Sequence, residues 1–127
     1  MKIKVSEATA LQLDWLVTTI EFPKGSYGGE AEHYSGNGGE RWIRIPDKKN
    51  RTYVLANYST NWAQGGPIIE REGINTYQVQ DGTWQGNLDY GMTDELIYWG
   101  PTPLIAAMRC FVVSKMGDEV DVPEELI

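Results

Sequence analysis

The chain has 127 residues, with 11 Lys+Arg against 18 Asp+Glu, 14 Gly, 5 Trp, 7 Tyr, one His and one Cys. This is one domain's length, enough to fold on a single hydrophobic core, and one cysteine closes no bridge within the chain. No run reaches the roughly 20 apolar residues of a membrane-spanning helix and Met1 to Ser6 lacks the apolar centre of a signal peptide, while a net charge of −7 disfavours nonspecific nucleic-acid binding, so the expectation is a soluble cytoplasmic protein without membrane or nucleic-acid contacts.

Lys2 to Val5 reads as a short strand. Ser6 then caps a helix from about Glu7 to Ile20, with Glu7 in the first turn where the helix dipole favours a negative charge. Ala10, Leu13, Leu16, Val17 and Ile20 share one helical face, and Ala8, Leu11 and Trp15 form a second apolar stripe on about the opposite side. Either the rest of the chain covers that stripe, or Leu11 and Trp15 face a second subunit or a ligand. Phe22-Pro23 ends the helix. Residues 23–39 contain six glycines and predict a loop, longer than most connections in compact domains and matching neither Gly-rich phosphate-binding pattern.

Arg41 to Ile45 and Thr52 to Tyr58 predict a hairpin around the turn residues Pro46 to Asn50. Arg41, Arg44, Lys48, Lys49 and Arg51 lie within eleven residues, as a solvated hairpin end or an anion contact. Ile74 to Gln80 and Thr83 to Leu88 flank Asp81-Gly82, a strong hairpin turn signal because both positions tolerate positive φ. Thr102 can cap a helix that opens on Pro103 and runs to Met116 before Gly117. Its residues are apolar nearly all round, which places it in the middle of the molecule. Arg109 within it must therefore be paired or reach water. An ion pair with Glu70, Glu72 or Glu95 and the binding of an anionic ligand group are the two roles open to it. An acidic tail, 118–127, ends the chain. The elements sum to an α+β domain spanning residues 1–127, with a small antiparallel sheet of hairpins packed on the N-terminal helix and a buried C-terminal helix.

Most catalytic signatures need residues that are missing here. One His and one Cys make no zinc set, and Cys110 among apolar helix neighbours reads as an inert packed thiol. The sequence calls for no metal and no cofactor. What stands out is Tyr58 to Glu70, a turn-forming stretch that mixes aromatic, amide and glycine before Pro67 opens a short helix. In it Trp62 can stack on a ring, Asn61 and Gln64 can read a polar edge, and Gly65 and Gly66 let backbone N–H groups approach an anion. With Arg109, these are the candidate ligand-binding residues; the other reading of the stretch is a structural turn with Trp62 plugged into the core.

Four pieces of the chain, Trp62-Ala-Gln-Gly-Gly-Pro-Ile-Ile-Glu70, Gly100-Pro-Thr-Pro-Leu-Ile-Ala-Ala-Met-Arg109, Gly117-Asp-Glu-Val120 and the pair Asp14-Trp15, resemble the NinX family of lambdoid phages and prophages. The resemblance implies a phage accessory protein acting in the host cytoplasm, and it supplies no catalytic residue. Where the family often has Asp before its Trp, this chain has Asn61. Taken together, the leading expectation is a binder of a small polar or nucleotide-like ligand that does no chemistry. The alternatives are a nucleotide-directed hydrolase or transferase, with Glu70 as base and Arg109 on phosphate, and a module that binds a host protein or a second copy through Leu11 and Trp15.

Overall fold

The computed structural model describes residues 1–23, 32–35, 41–47, 52–89, 91 and 95–127. In chain order the elements are β1 (Lys2–Lys4), a 3-10 turn (Val5–Glu7), α1 (Ala10–Glu21), β2 (Glu32–Ser35), β3 (Arg41–Asp47), β4 (Thr52–Leu55), α2 (Trp62–Glu72), β5 (Asn75–Gln80), β6 (Thr83–Asp89), β7 (Glu95–Gly100), α3 (Pro103–Met116), β8 (Glu119–Asp121) and a closing 3-10 turn (Glu124–Leu126). The fold is α+β. In place of one sheet there are three small antiparallel ones: β1-β8, β2-β3-β4 and β5-β6-β7.

The first helix starts three residues later than Ser6 and Glu7 suggest. Thr9 is the cap: its hydroxyl accepts from the Gln12 amide at 3.2 Å, and the Gln12 side chain accepts from the Thr9 N–H at 3.0 Å. This reciprocal box satisfies two orphan donors at once. Ser6 has Thr9 three residues on, which cannot complete such a box, and Val5 to Glu7 turn as 3-10 instead. Leu13, Leu16 and Val17 are buried, while Leu11 and Trp15 are half-buried and pack against the core. The expected loop 23–39 contains β2, paired with β3 through Tyr34 opposite Trp42; its remaining residues from 24 onward lie outside the described ones. Strand β3 runs on through Pro46 and Asp47, residues read as turn, and β4 ends at Leu55 instead of Tyr58. The hairpin at Asp81-Gly82 forms as expected, with Gly82 at φ 74°.

Helix α3 has the predicted bounds. The Thr102 hydroxyl accepts from the Ile105 N–H at 3.1 Å, Pro103 opens the helix and Gly117 closes it at φ 89°. It packs on β5, β6 and β7 along one side and on α1 and α2 along others. Gly86 and Gly100 make the sheet side possible, because a Cβ on either would stand within 2.9 Å of the Ala106 backbone. Phe111, Met108, Leu104 and Val112 are buried with Leu13, Leu16 and Val17 in the core between the helices, each such side chain contributing on the order of 1.5–3 kcal/mol.

Candidate functional site

The stretch from Asn61 to Gly66 is helix, where sequence reading expects a turn ahead of Pro67. Asn61 caps α2, its side-chain oxygen accepting from the Ala63 N–H at 2.8 Å. Gln64 bridges back to the chain end of β4, accepting from the Asn57 N–H at 2.6 Å and donating to the Leu55 carbonyl at 2.7 Å. Gly65 is buried; a Cβ there would lie 2.4 Å from the Tyr58 carbonyl oxygen and 2.5 Å from Leu104 Cδ1. Asn61 thus caps α2, Gln64 ties it to the preceding loop and Gly65 lets it close on α3. Trp62 is 53 % exposed, and it lies over Gly66, whose missing Cβ would be 3.9 Å from the indole. Pro67 is the sixth residue of the helix and opens nothing.

Arg109 is placed elsewhere. Its guanidinium donates to the Trp99 carbonyl at 2.8 Å and to the Ala8 carbonyl at 2.9 Å, and its buried Nε has no partner. The ion pair with Glu70, Glu72 or Glu95 is not made. Glu72 pairs with Lys115 at 2.9 Å and Arg71 at 3.4 Å, Glu95 accepts from the Asn87 side chain, and Glu70 is exposed on α2. Among the described residues Arg109 therefore meets carbonyl dipoles and no carboxylate. Burial lowers its pKa from the ordinary value, yet a guanidinium keeps its proton in proteins.

Beside it opens a cavity of about 410 Å³ lined by Ser6, Gly82, Thr83, Trp99, Gly100, Pro101 and Arg109. A second cavity of about 230 Å³ is lined by Lys4, Ser6, Ile97, Tyr98, Trp99 and Asp118. The bonds of Arg109 fix the geometry here, since they tie α3 to the end of β7 that carries Trp99 and to the turn that carries Ser6. Trp99 is 51 % exposed, a large ring left at the surface where both cavities meet it. None of Asn61, Trp62, Gln64, Gly65 and Gly66 lines either cavity. Sequence reading missed Ser6, Thr83 and Trp99; the strand-forming run Leu96-Ile97-Tyr98-Trp99 before Gly100 was the signal available for β7.

Asp14, on α1, is 4 % exposed and accepts from the Ser59 N–H at 2.9 Å and hydroxyl at 2.8 Å. Burial pushes its carboxyl up from 3.8 to about 6, the two Ser59 bonds pulling the other way. Tyr58 beside it is raised to about 12, chiefly by burial and then by Glu21. Cys110 is buried, and burial lifts its thiol to about 11, which leaves no thiolate for nucleophilic work near neutral pH. Among the described residues no His, Cys, Asp and Glu come together as a metal set, and no helix is long and apolar enough to cross a membrane. Arg44 stacks on the Tyr53 ring at 3.8 Å. The side chains of Tyr27, His33, Tyr34, Lys48, Lys49 and Arg51 lie outside the described residues.

The pieces that carry the family resemblance now meet in space. Gly65 of the first block packs on Leu104 of the second, and Asp14 holds Ser59 just ahead of the first. The family model described as bacteriophage P22 NinX matches residues 4–115. The chain belongs to the NinX family. No curated relative matches it. The matched span covers both NinX blocks, Asp14 and nearly all of the lining at Arg109 and Trp99, with Asp118 just beyond it. As a NinX member the chain is a phage accessory protein.

Proposed function

We propose that this accessory protein binds a small polar, anionic ligand of the host cytoplasm in the cavity at Arg109 and performs no chemistry on it. One observation carries the reading: a guanidinium whose charge is met, among the described residues, by carbonyl dipoles and by no carboxylate stands at a cavity of about 410 Å³ beside a half-exposed tryptophan. Pockets of this size suit small molecules, and a preformed guanidinium recognises carboxylate or phosphate oxygens in its plane. Ser6 and Thr83 bring hydroxyls that can donate to the same anion.

The test is native mass spectrometry of the protein taken gently from phage-infected cells, compared with its denatured mass. A discrete added mass that is lost in a Trp99→Ala variant supports the reading. A bare chain, together with no shift of melting temperature on a panel of phosphates and carboxylates, overturns it.

A further inference from the structure

Resting on the reading just given, we infer that the two cavities at Trp99 are one bipartite site for a nucleoside monophosphate. Ser6 and Trp99 line both cavities, so a ligand lying across them keeps contact with the same indole. The larger lobe holds the guanidinium and two hydroxyls, the donor set for a phosphate. Arg109 is the one cation among the described residues that line that lobe. A second phosphate would stand uncompensated on a chain of net charge −7, which selects the monophosphate.

The smaller lobe, about 230 Å³, is walled by Ile97, Tyr98 and Trp99, apolar and aromatic surfaces that suit the faces of a planar ring. Its polar residues are of opposite sign, Lys4 and Asp118. A carboxylate accepts and an ammonium donates, so the pair matches a ring edge that offers an N–H beside an acceptor nitrogen or carbonyl. Adenine, cytosine and guanine offer an amino group there and uracil offers its ring N–H beside a carbonyl, so all four bases fit the pair and a bare sugar phosphate does not.

The experiment is isothermal titration of the full chain with AMP, CMP, GMP, UMP, ribose 5-phosphate and inorganic phosphate. The expected result is binding of the four nucleotides about tenfold or more tighter than ribose 5-phosphate and inorganic phosphate, the factor that about 1.4 kcal/mol of ring stacking supplies. Trp99→Ala should remove the advantage of nucleotides over ribose 5-phosphate, and Asp118→Ala should reduce it. Both side chains are exposed, and a melting curve of each variant checks that it is folded. Equal binding of ribose 5-phosphate and the nucleotides overturns the inference while leaving an anion site at Arg109. Binding of none of the six overturns the inference, and silence on the wider panel of phosphates and carboxylates then removes the anion site too.

Discussion

Replacing Asp14 by Asn should make the protein more stable at neutral pH and reshape how its stability varies with acid. The carboxyl is 4 % exposed and held at about 6, against 3.8 when unburied. A carboxyl whose pKa is raised by folding binds its proton more tightly in the folded chain, so its contribution is fully present below about pH 3.8 and is lost as pH rises through about 6. At 1.36 kcal/mol per pH unit that distance is worth ~3 kcal/mol. The amide is isosteric with the protonated acid and its oxygen can still accept from the Ser59 N–H, so wild type and Asp14→Asn should be nearly equal at about pH 3.5, where Asp14 is protonated in both states. By about pH 7.5 the variant should be ahead by up to ~3 kcal/mol. Urea unfolding of both proteins across that range measures the difference directly. Taking the difference cancels the other carboxylates, including Glu72, which the Lys115 hydrogen bond lowers and which acts in the opposite direction. A gap that does not change with pH, or one that favours the wild type as pH rises, would refute the argument.

Neighbouring glycines should respond oppositely to alanine. Gly65→Ala forces a Cβ within 2.5 Å of Tyr58 and Leu104 and should cost roughly 1–3 kcal/mol of overpacking, whereas Gly66→Ala has room and should stay within ~0.5 kcal/mol, its helix-propensity gain offset by the restriction on a residue before proline; thermal melts of the two variants decide. Trp62→Ala, at a 53 % exposed side chain, should leave the unfolding free energy within ~0.5 kcal/mol of wild type, and a much larger loss in urea unfolding would make the indole part of the core. Cys110 should resist alkylation by iodoacetamide at neutral pH in the folded protein and react once denaturant is added, because burial holds the thiol near 11; modification of the native chain at the rate of the unfolded one contradicts this.

How legible the fold was depended on the range of the signals. The bounds of α3 rest on Thr102, Pro103 and Gly117, all local, and they are read correctly from sequence. The start of α1 is also written locally, but in the spacing from Thr9 to Gln12 and not in Ser6 alone. Two glycines and a proline argue for a turn at Asn61 to Pro67. The helix there depends on contacts the sequence does not display, since Gly65 is needed where α2 meets Tyr58 and Leu104. Strand β8 is three residues long in an acidic tail and exists through its pairing with β1. For Arg109, sequence reasoning establishes that a partner is required and offers acids. Its partners are the carbonyls of Ala8 and Trp99, which leave no side-chain signature.

The pairing of Ile3 with Val120, and the bond from the Gln12 side chain to the Leu126 carbonyl at 2.9 Å, span more than a hundred positions of the chain. Contacts of such separation are slow to form, because the loop must close before any of them is made. The lining at Trp99 straddles this closure, drawing Lys4 and Ser6 from one side of it and Trp99, Arg109 and Asp118 from the other. The site is therefore complete only once this loop has closed. An opening confined to the short β1-β8 ladder would draw Lys4 away from Asp118, while Ser6 stays beside α3 through the Arg109 bond to the Ala8 carbonyl.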